Sequence, residues 1–317
     1  MNIKRYLAAR APLLAALSLL GLLLPPLSSL FASQGHAFAW LIDLGTHWQW
    51  GFLLGLAVFG GLAAWAADRR WLVLALALPM PWLTASPPAR VSDRPAPALG
   101  VLVANVNLDN PDAGALLAIV QRAKPDILVL LELAPHYAEQ LKAWTEYPYR
   151  ALEPEDSPFG IGILSRIPLS AVDVIQDAEG IRRMEAEVDF SGRAVRLVAF
   201  HPMPPIRASF HQQRNDTLLS VAKAAHVSGK PTILAGDFNA SPWSSAMAGL
   251  SAFGMRRAGS LQGTWPAALG AVGLPLDQVV VSPEWARESF EVINHAGSDH
   301  RATFARLQLV QPPRPSQ

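Results

Sequence analysis

From Ala11 to Ala32 the chain carries no charged residue, and that run is long enough to cross a bilayer as one helix. Pro25-Pro26 interrupts it and is expected to kink it, which membrane helices tolerate. A second apolar run covers about Trp48–Ala67, and a third, shorter one, Trp71–Ala85, contains Pro79 and Pro81. The reading is three spans, about 11–32, 48–67 and 71–85, within a membrane region 1–86. The whole chain of 317 residues is 51% hydrophobic and 16% charged, too apolar for an ordinary soluble protein, and the excess sits in residues 1–89.

The basic residues orient these spans. Lys4, Arg5 and Arg10 precede the first; Arg69 and Arg70 separate the second from the third; the loop 33–47 has no Lys or Arg. The positive-inside rule places the N-terminus and the 68–70 turn in the cytoplasm and everything after about Ser86 outside it. Trp40, Trp48, Trp50, Trp71 and Trp82 lie near span ends, as in an aromatic belt. A cleaved signal peptide fits less well, because the first run is long and further apolar segments follow. Two spans instead of three would leave the rest of the chain in the cytoplasm.

Residues 87–98 form a Pro-rich, extended link. A globular domain is expected over 99–310, and 311–317 as a Pro-rich frayed tail. Leu99–Asn105 and Ile127–Leu133 read as buried strands with a helix, 112–123, between them; His136–Trp144 reads as a helix and Gly160–Leu164 as a strand. Glu185–Phe190 and Ala194–Phe200 form a hairpin around Ser191-Gly192-Arg193, followed by a long helix, Ser209–Val227. Ile233–Ala235, Leu276–Val281, Phe290–Ile293 and Ala302–Leu309 read as further strands. Strands interleaved with helices indicate an α/β or α+β sandwich.

Cysteine is absent, which excludes thiol catalysis and zinc-thiolate sites. The five basic and two acidic residues of 1–89 account for part of the totals of 26 and 25, so residues 90–317 keep 21 basic and 23 acidic side chains. That slightly acidic balance is not the electrostatic footprint of a duplex-DNA binder.

The chemistry concentrates at strand ends. Thr232–Ala235 runs into Gly236-Asp237-Phe238-Asn239, whose Asp and Asn, two residues apart, share one side of extended backbone. Glu132 closes the aliphatic run 127–131, where a carboxylate is costly unless it is paired or bound to a cation. Asn105, His201, Asp277, Asp299 and His300 stand at or near the ends of other strands. Singly each is a weak signal: Glu132 reads equally well as a solvated strand end, Asn105 better as a turn residue and a lone histidine more often as structural; eight together form a pattern. Hard oxygen donors without cysteine suit Mg²⁺ or Mn²⁺ rather than zinc.

The order Asn105-Val-Asn107, Leu130-Leu-Glu132-Leu133, Ile161-Gly-Ile-Leu-Ser-Arg166, Phe200-His-Pro202, Gly236-Asp-Phe-Asn239, Leu276-Asp-Gln278 and Ser298-Asp-His300 resembles the endonuclease/exonuclease/phosphatase superfamily, and with the spans its membrane-anchored bacterial members. The resemblance implies an α/β fold, a four-layer sandwich of two facing sheets flanked by helices, and metal-assisted attack of water on a phosphoester. It implies Glu132, Asn105 and Asp299 as metal ligands for Mg²⁺ (or Mn²⁺), and His300 as general base or phosphate contact, oriented by Asp277. It implies Asp237 as the group that positions or activates water, and Asn239 and His201 as donors to the phosphoryl oxygens. Whether Asp237 or His300 takes the proton stays open. Gln278, where many members carry His or an aromatic residue, and Ala104, where many nucleases carry Trp or Tyr, weaken a nuclease-specific transfer. The expectation is a multi-pass inner-membrane hydrolase, its domain outside the cytoplasm, its partners the lipid bilayer and a phosphorylated substrate, lipid-linked or other. An extracytoplasmic nuclease, using Arg182, Arg183, Arg207 and Arg214 on nucleic acid, and a non-catalytic tethered binding protein are the alternatives. No obligate protein partner is inferred.

Overall fold

In the computed structural model the described residues are 3–31, 36–177, 179–294 and 297–310. The expected tail 311–317 lies outside them. The chain forms two compact units: Met1–Ser86 with Pro205–Asn215 and Ser241–Ala248, and Pro87–Pro204 with Asp216–Ala240 and Gly249–Gln317.

In the first unit, α1 (Ile3–Leu22) and α2 (Leu24–Phe31) divide the first apolar run just before Pro25-Pro26; α3 (His36–Thr46) and α4 (Gln49–Ala66) follow. Among the described residues α1 and α4 are the two helices long and apolar enough to cross a membrane. They pack through small residues. Ala11, Ala15, Gly21, Gly60 and Ala63 are buried, and a Cβ on Gly21 would come within 2.2 Å of the Phe52 ring. Leu13, Leu17, Leu20, Leu54 and Val58 stay exposed. Close backbone approach inside and leucine outside is how helices associate in lipid. The expected third span is not a single α-helix. Arg69–Ala77 is a 3-10 helix begun by Asp68, which accepts from the Arg70 amide; α5 (Met80–Thr84) starts only after Pro79. Pro79 and Pro81 have no amide to continue a helical ladder.

The second unit is a sandwich. Its strands are β1 (Arg90–Val91), β2 (Ala98–Asn105), β3 (Ile127–Leu131), β4 (Tyr149–Glu153), β5 (Ile161–Ser165), β6 (Leu169–Gln176), β7 (Arg182–Phe190), β8 (Arg193–Phe200), β9 (Thr232–Asp237), β10 (Arg256–Arg257), β11 (Asp277–Val281), β12 (Trp285–Ile293) and β13 (Ala302–Leu309). Its helices are α6 (Gly114–Ala123) and α7 (Pro135–Leu141); α8 (Ala208–Ser228) and α9 (Ser245–Ala252) each begin in residues of the first unit and end in residues of the second. One mixed sheet has the order β1-β12-β13-β2-β3-β5-β4 and the other β10-β11-β9-β8-β7-β6.

Alternation builds the layers. Leu99, Val101, Val103, Ile127 and Val129 point into one core shared with Met184, Ala186, Leu197, Ile233 and Val279 of the other sheet. Leu102, Ala104, Leu128 and Leu130 point the other way, onto Leu116, Ile119, Tyr137 and Leu141 of α6 and α7. Residues 87–98 are not a free spacer: β1 pairs parallel with β12, and the Ala89 amide donates to the Arg257 carbonyl. Extended Pro-rich backbone is suited to a sheet edge.

This topology sets one rim. The parallel pairs β2/β3 and β8/β9 end there, while β11 and β13, antiparallel to β9 and β2, begin there. Gly236 is needed to close that rim, because a Cβ would lie 1.9 Å from the Phe200 carbonyl oxygen. Gly236→Ala is expected to destabilise the fold by about 3 kcal/mol or more, read as a lower denaturation midpoint at unchanged slope.

A carboxylate and histidine centre at the sandwich rim

Asn105 is the last residue of β2, and Glu132 follows β3 in a left-handed backbone conformation (φ 55°). Asn105 Nδ2 donates to Glu132 Oε1 at 2.8 Å and, at 3.5 Å, to Asp237 Oδ2. Glu132 Oε2 accepts the Leu108 amide at 3.2 Å. Asp237, at the end of β9, stands opposite Asp277, at the start of β11, in the sheet register. Asp237 Oδ1 accepts the amide of Asn239, which also has positive φ (48°) and donates its side-chain amide to the Pro202 carbonyl at 3.0 Å. Strained non-glycine residues held by such contacts cluster at functional sites.

The histidines complete the centre. His300 Nδ1 and Asp277 Oδ2 are 2.8 Å apart, which turns His300 Nε2 toward Asp237 Oδ2 at 3.6 Å. His201 Nε2 lies 3.7 Å from the same oxygen, with its ring against Phe159. Burial opposes a charge on His300, but Asp277 and Asp237 outweigh it and raise its pKa to about 10. Ser298 Oγ donates to the Asn105 carbonyl and accepts the His300 amide, pinning the 298–300 turn beside β2.

All eight expected residues therefore come to one rim, but their contacts differ from expectation in two places. Asp299 Oδ2 accepts from Trp265 Nε1 at 2.8 Å, and its main-chain oxygen accepts the Ala267 amide, so it faces the 265–267 segment. One ligand atom each of Asp237, Asp277 and His300 also lie within 4.8 Å of one another, as metal ligands would. Within this trio Asp277 Oδ2 is already engaged by His300 Nδ1. Sequence reasoning missed Thr264, whose Oγ accepts the Leu276 and Asp277 amides, and Trp265, whose ring lies 6.4 Å from that of His300. The uncharged stretch Gln262–Leu276 was the signal available.

Among the described residues no Lys or Arg pairs with Glu132, Asp237 or Asp277. Asp277 Oδ1 is buried without a protein partner. Carboxylates gathered this closely repel one another, and a hard divalent cation is the species that such an oxygen donor set fits. The four arginines weighed as a phosphate surface are engaged elsewhere. Arg182 pairs with Glu155, Arg183 with Glu185 and the buried Arg214 with Asp43, and Arg207 lies over the Phe210 ring.

A profile described as the Endonuclease/Exonuclease/phosphatase family matches residues 102–300. Among curated proteins no sequence matches this chain. Solved structures share the fold. TDP2 of D. rerio, complexed with a single-strand DNA product, is 18% identical with a TM-score of 0.57, covering 67% of this chain and 100% of its own. An endonuclease/exonuclease/phosphatase from Beutenbergia cavernae is 19% identical (TM-score 0.55, 68% and 72% covered). The human Nocturnin catalytic domain with bound sulfate is 18% identical (TM-score 0.52, 68% and 96% covered). The profile match over more than half of the chain shows that this protein belongs to the endonuclease/exonuclease/phosphatase family.

Proposed function

We propose that this chain is a membrane-anchored, divalent-metal-dependent phosphoester hydrolase that acts outside the cytoplasm on lipid-linked phosphates. The convergence of Glu132, Asp237 and the Asp277–His300 pair at one rim, with no Lys or Arg pairing with the three carboxylates among the described residues, carries this reading. Glu132 and Asn105 would hold Mg²⁺ or Mn²⁺, with Asp299 nearby. The cation would neutralise charge on the phosphoryl group and polarise it. Asp277 orients the His300 ring and aims Nε2 at the space beside Asp237; a cation bound there would offset the two carboxylates that keep His300 protonated, leaving Nε2 free to take the proton of an attacking water. Asn239 and His201 flank the same carboxylate and donate to oxygens that gain charge.

Placing the site outside needs an odd number of crossings. Arg69–Thr84 reaches roughly 25 Å, because a 3-10 helix rises about 2 Å per residue, and this approaches the roughly 30 Å of a bilayer core. Alkaline phosphatase fused after residue 310 tests this: activity is expected only if the C-terminus is exported, and a silent fusion would place the domain in the cytoplasm.

The lipid reading rests on Gln262–Leu276, fifteen residues without a charge. Trp265 ties this stretch to Asp299, while Leu269 and Val272 stay 52% and 67% exposed. Changing both to Asp is expected to lower the ratio of kcat/KM for a long-chain over a short-chain phosphoester by roughly tenfold or more, since each buried aliphatic contributes about 1.5–3 kcal/mol. An unchanged ratio would remove this support. The second reading is a nuclease, favoured by the likeness to TDP2 with its DNA product. Full-length protein in detergent, assayed with Mg²⁺ or EDTA on a phosphodiester, a phosphomonoester, DNA and an isoprenoid diphosphate, separates the readings. Turnover lost with EDTA is expected; DNA as the sole substrate would overturn the lipid reading, and no turnover at all would leave a non-catalytic binding protein.

A further inference from the structure

We infer that residues 1–86 are not a passive tether but a positioning element: through Asp43 they hold the two segments into which the strands bearing His201 and Asp237 run on. The inference rests on the hydrolase reading for its effect on turnover, and on contacts within the first unit for its geometry.

Asp43, on α3, is fully buried. Its Oδ1 accepts from Ser28 Oγ at 2.9 Å and from the Ser245 amide at 2.6 Å. Its Oδ2 accepts from Arg214 Nη2 at 2.8 Å and lies 3.1 Å from His211 Nε2. One carboxylate thus ties α2, the first turns of α8 and the start of α9 to α3. Burial by itself would raise its pKa, but the His211 hydrogen bond and the Arg214 charge hold it below the usual carboxylate range.

Other contacts repeat the grip. Trp40 Nε1 donates to the Pro205 carbonyl, and the Ser241 amide donates to His47 Nδ1 at 3.2 Å. Trp243 Nε1 donates to the Pro81 carbonyl at 2.7 Å, its ring edge-on to Trp50, and the Ser86 amide donates to the Pro242 carbonyl. Pro205 lies four residues after His201, and Ser241 two after Asn239. The Asn239–Pro202 hydrogen bond joins these two stretches just before they enter the gripped segments. A plain membrane anchor needs none of this; a buried Asp–Arg pair costs desolvation and persists where it fixes one arrangement.

The test uses the full-length protein in detergent. In Asp43→Ala, and more mildly in His211→Ala, kcat on a water-soluble phosphodiester is expected to fall tenfold or more with KM little changed, because displacement by about 1 Å costs such factors. Leu56→Ala, a truncation of a buried leucine of α4, should lower Tm without that kcat loss. Hydrogen exchange should speed up at 238–248 in Asp43→Ala and stay unchanged there in Leu56→Ala. If Asp43→Ala does not fold, His211→Ala decides by the same two readouts. Unchanged exchange at 238–248, or an equal kcat loss in Leu56→Ala, would overturn the inference. If the wild type turns over no phosphoester, the hydrolase reading fails and exchange alone decides the positioning.

Discussion

His300→Asn is expected to lower kcat by about 10²–10⁴ while the fold survives, the range that loss of a positioned acid–base group brings. The variant separates two roles of one side chain. His300 Nδ1 meets Asp277 Oδ2 at 2.8 Å, in a site where Asp277 Oδ1 already lacks a protein partner. Alanine would leave a buried carboxylate without its remaining strong donor, a penalty of about 1–3 kcal/mol or more that confuses loss of activity with loss of structure. The amide of asparagine keeps a donor near Asp277 and removes the proton-accepting Nε2 that faces Asp237. Thermal unfolding within a few degrees of wild type together with the kcat loss would assign the proton to His300. A kcat within tenfold of wild type would move the base to Asp237, and Asp237→Asn would then carry the larger loss. Each assay is run at saturating Mg²⁺, since Asp237 and Asp277 shape the charge of the site proposed to hold the cation.

The part of the fold that was legible in the sequence is the part whose signal is local. β3 is an unbroken run of buried aliphatic residues and β2 nearly so, and such runs read as strands without any partner in view; β8 and β13 carry polar residues but keep enough buried apolar positions to be read as strands. β4 and β6 went unread. Both are edge strands, half-buried or exposed along their length, so their side chains carry little of the alternation that marks a strand. α9 was missed because Ser245–Ala252 is short and uncharged, with small residues that set no helical stripe. At the site the residue types were readable, since Glu132 after five aliphatic residues and Asp237 with Asn239 after four are costly or turn-forming choices. Their partners were not. That Asp299 would bond Trp265, or Thr264 the Asp277 amide, depends on a loop over thirty residues away in the first case and on hydroxyl geometry in the second. Asp43 shows the same limit more sharply: in sequence it is a lone acid in an apolar region, and only the fold supplies Arg214, 171 residues later.

Removing residues 1–86 is expected to leave a folded sandwich that is inactive by about 10²-fold or more and prone to aggregate. The two hydrophobic clusters of the second unit draw only on residues from Ala89 onward, so the sheets and α6 and α7 keep their packing. Pro205–Asn215 and Ser241–Ala248 lose theirs. Trp243, 2% exposed in the intact chain, loses Trp50 and Pro81, and Arg214 and the Ser245 amide lose Asp43. Arg214 regains water once its cover is gone, so the fragment escapes the 3–5 kcal/mol or so that an uncompensated buried charge would cost in full-length Asp43→Ala. The two perturbations therefore separate: Asp43→Ala should lower the Tm of the intact protein more, and the truncation should lower kcat more. The freed segments no longer fix Asn239 and His201, whose strained or buried placements cost free energy that the packing beyond them offsets. Circular dichroism, kcat on a water-soluble phosphodiester and light scattering of the 87–317 fragment give the three readouts. A monodisperse fragment with wild-type kcat would mean that the apolar helices only anchor the enzyme. A sandwich that fails to fold would mean that the first unit also stabilises the second.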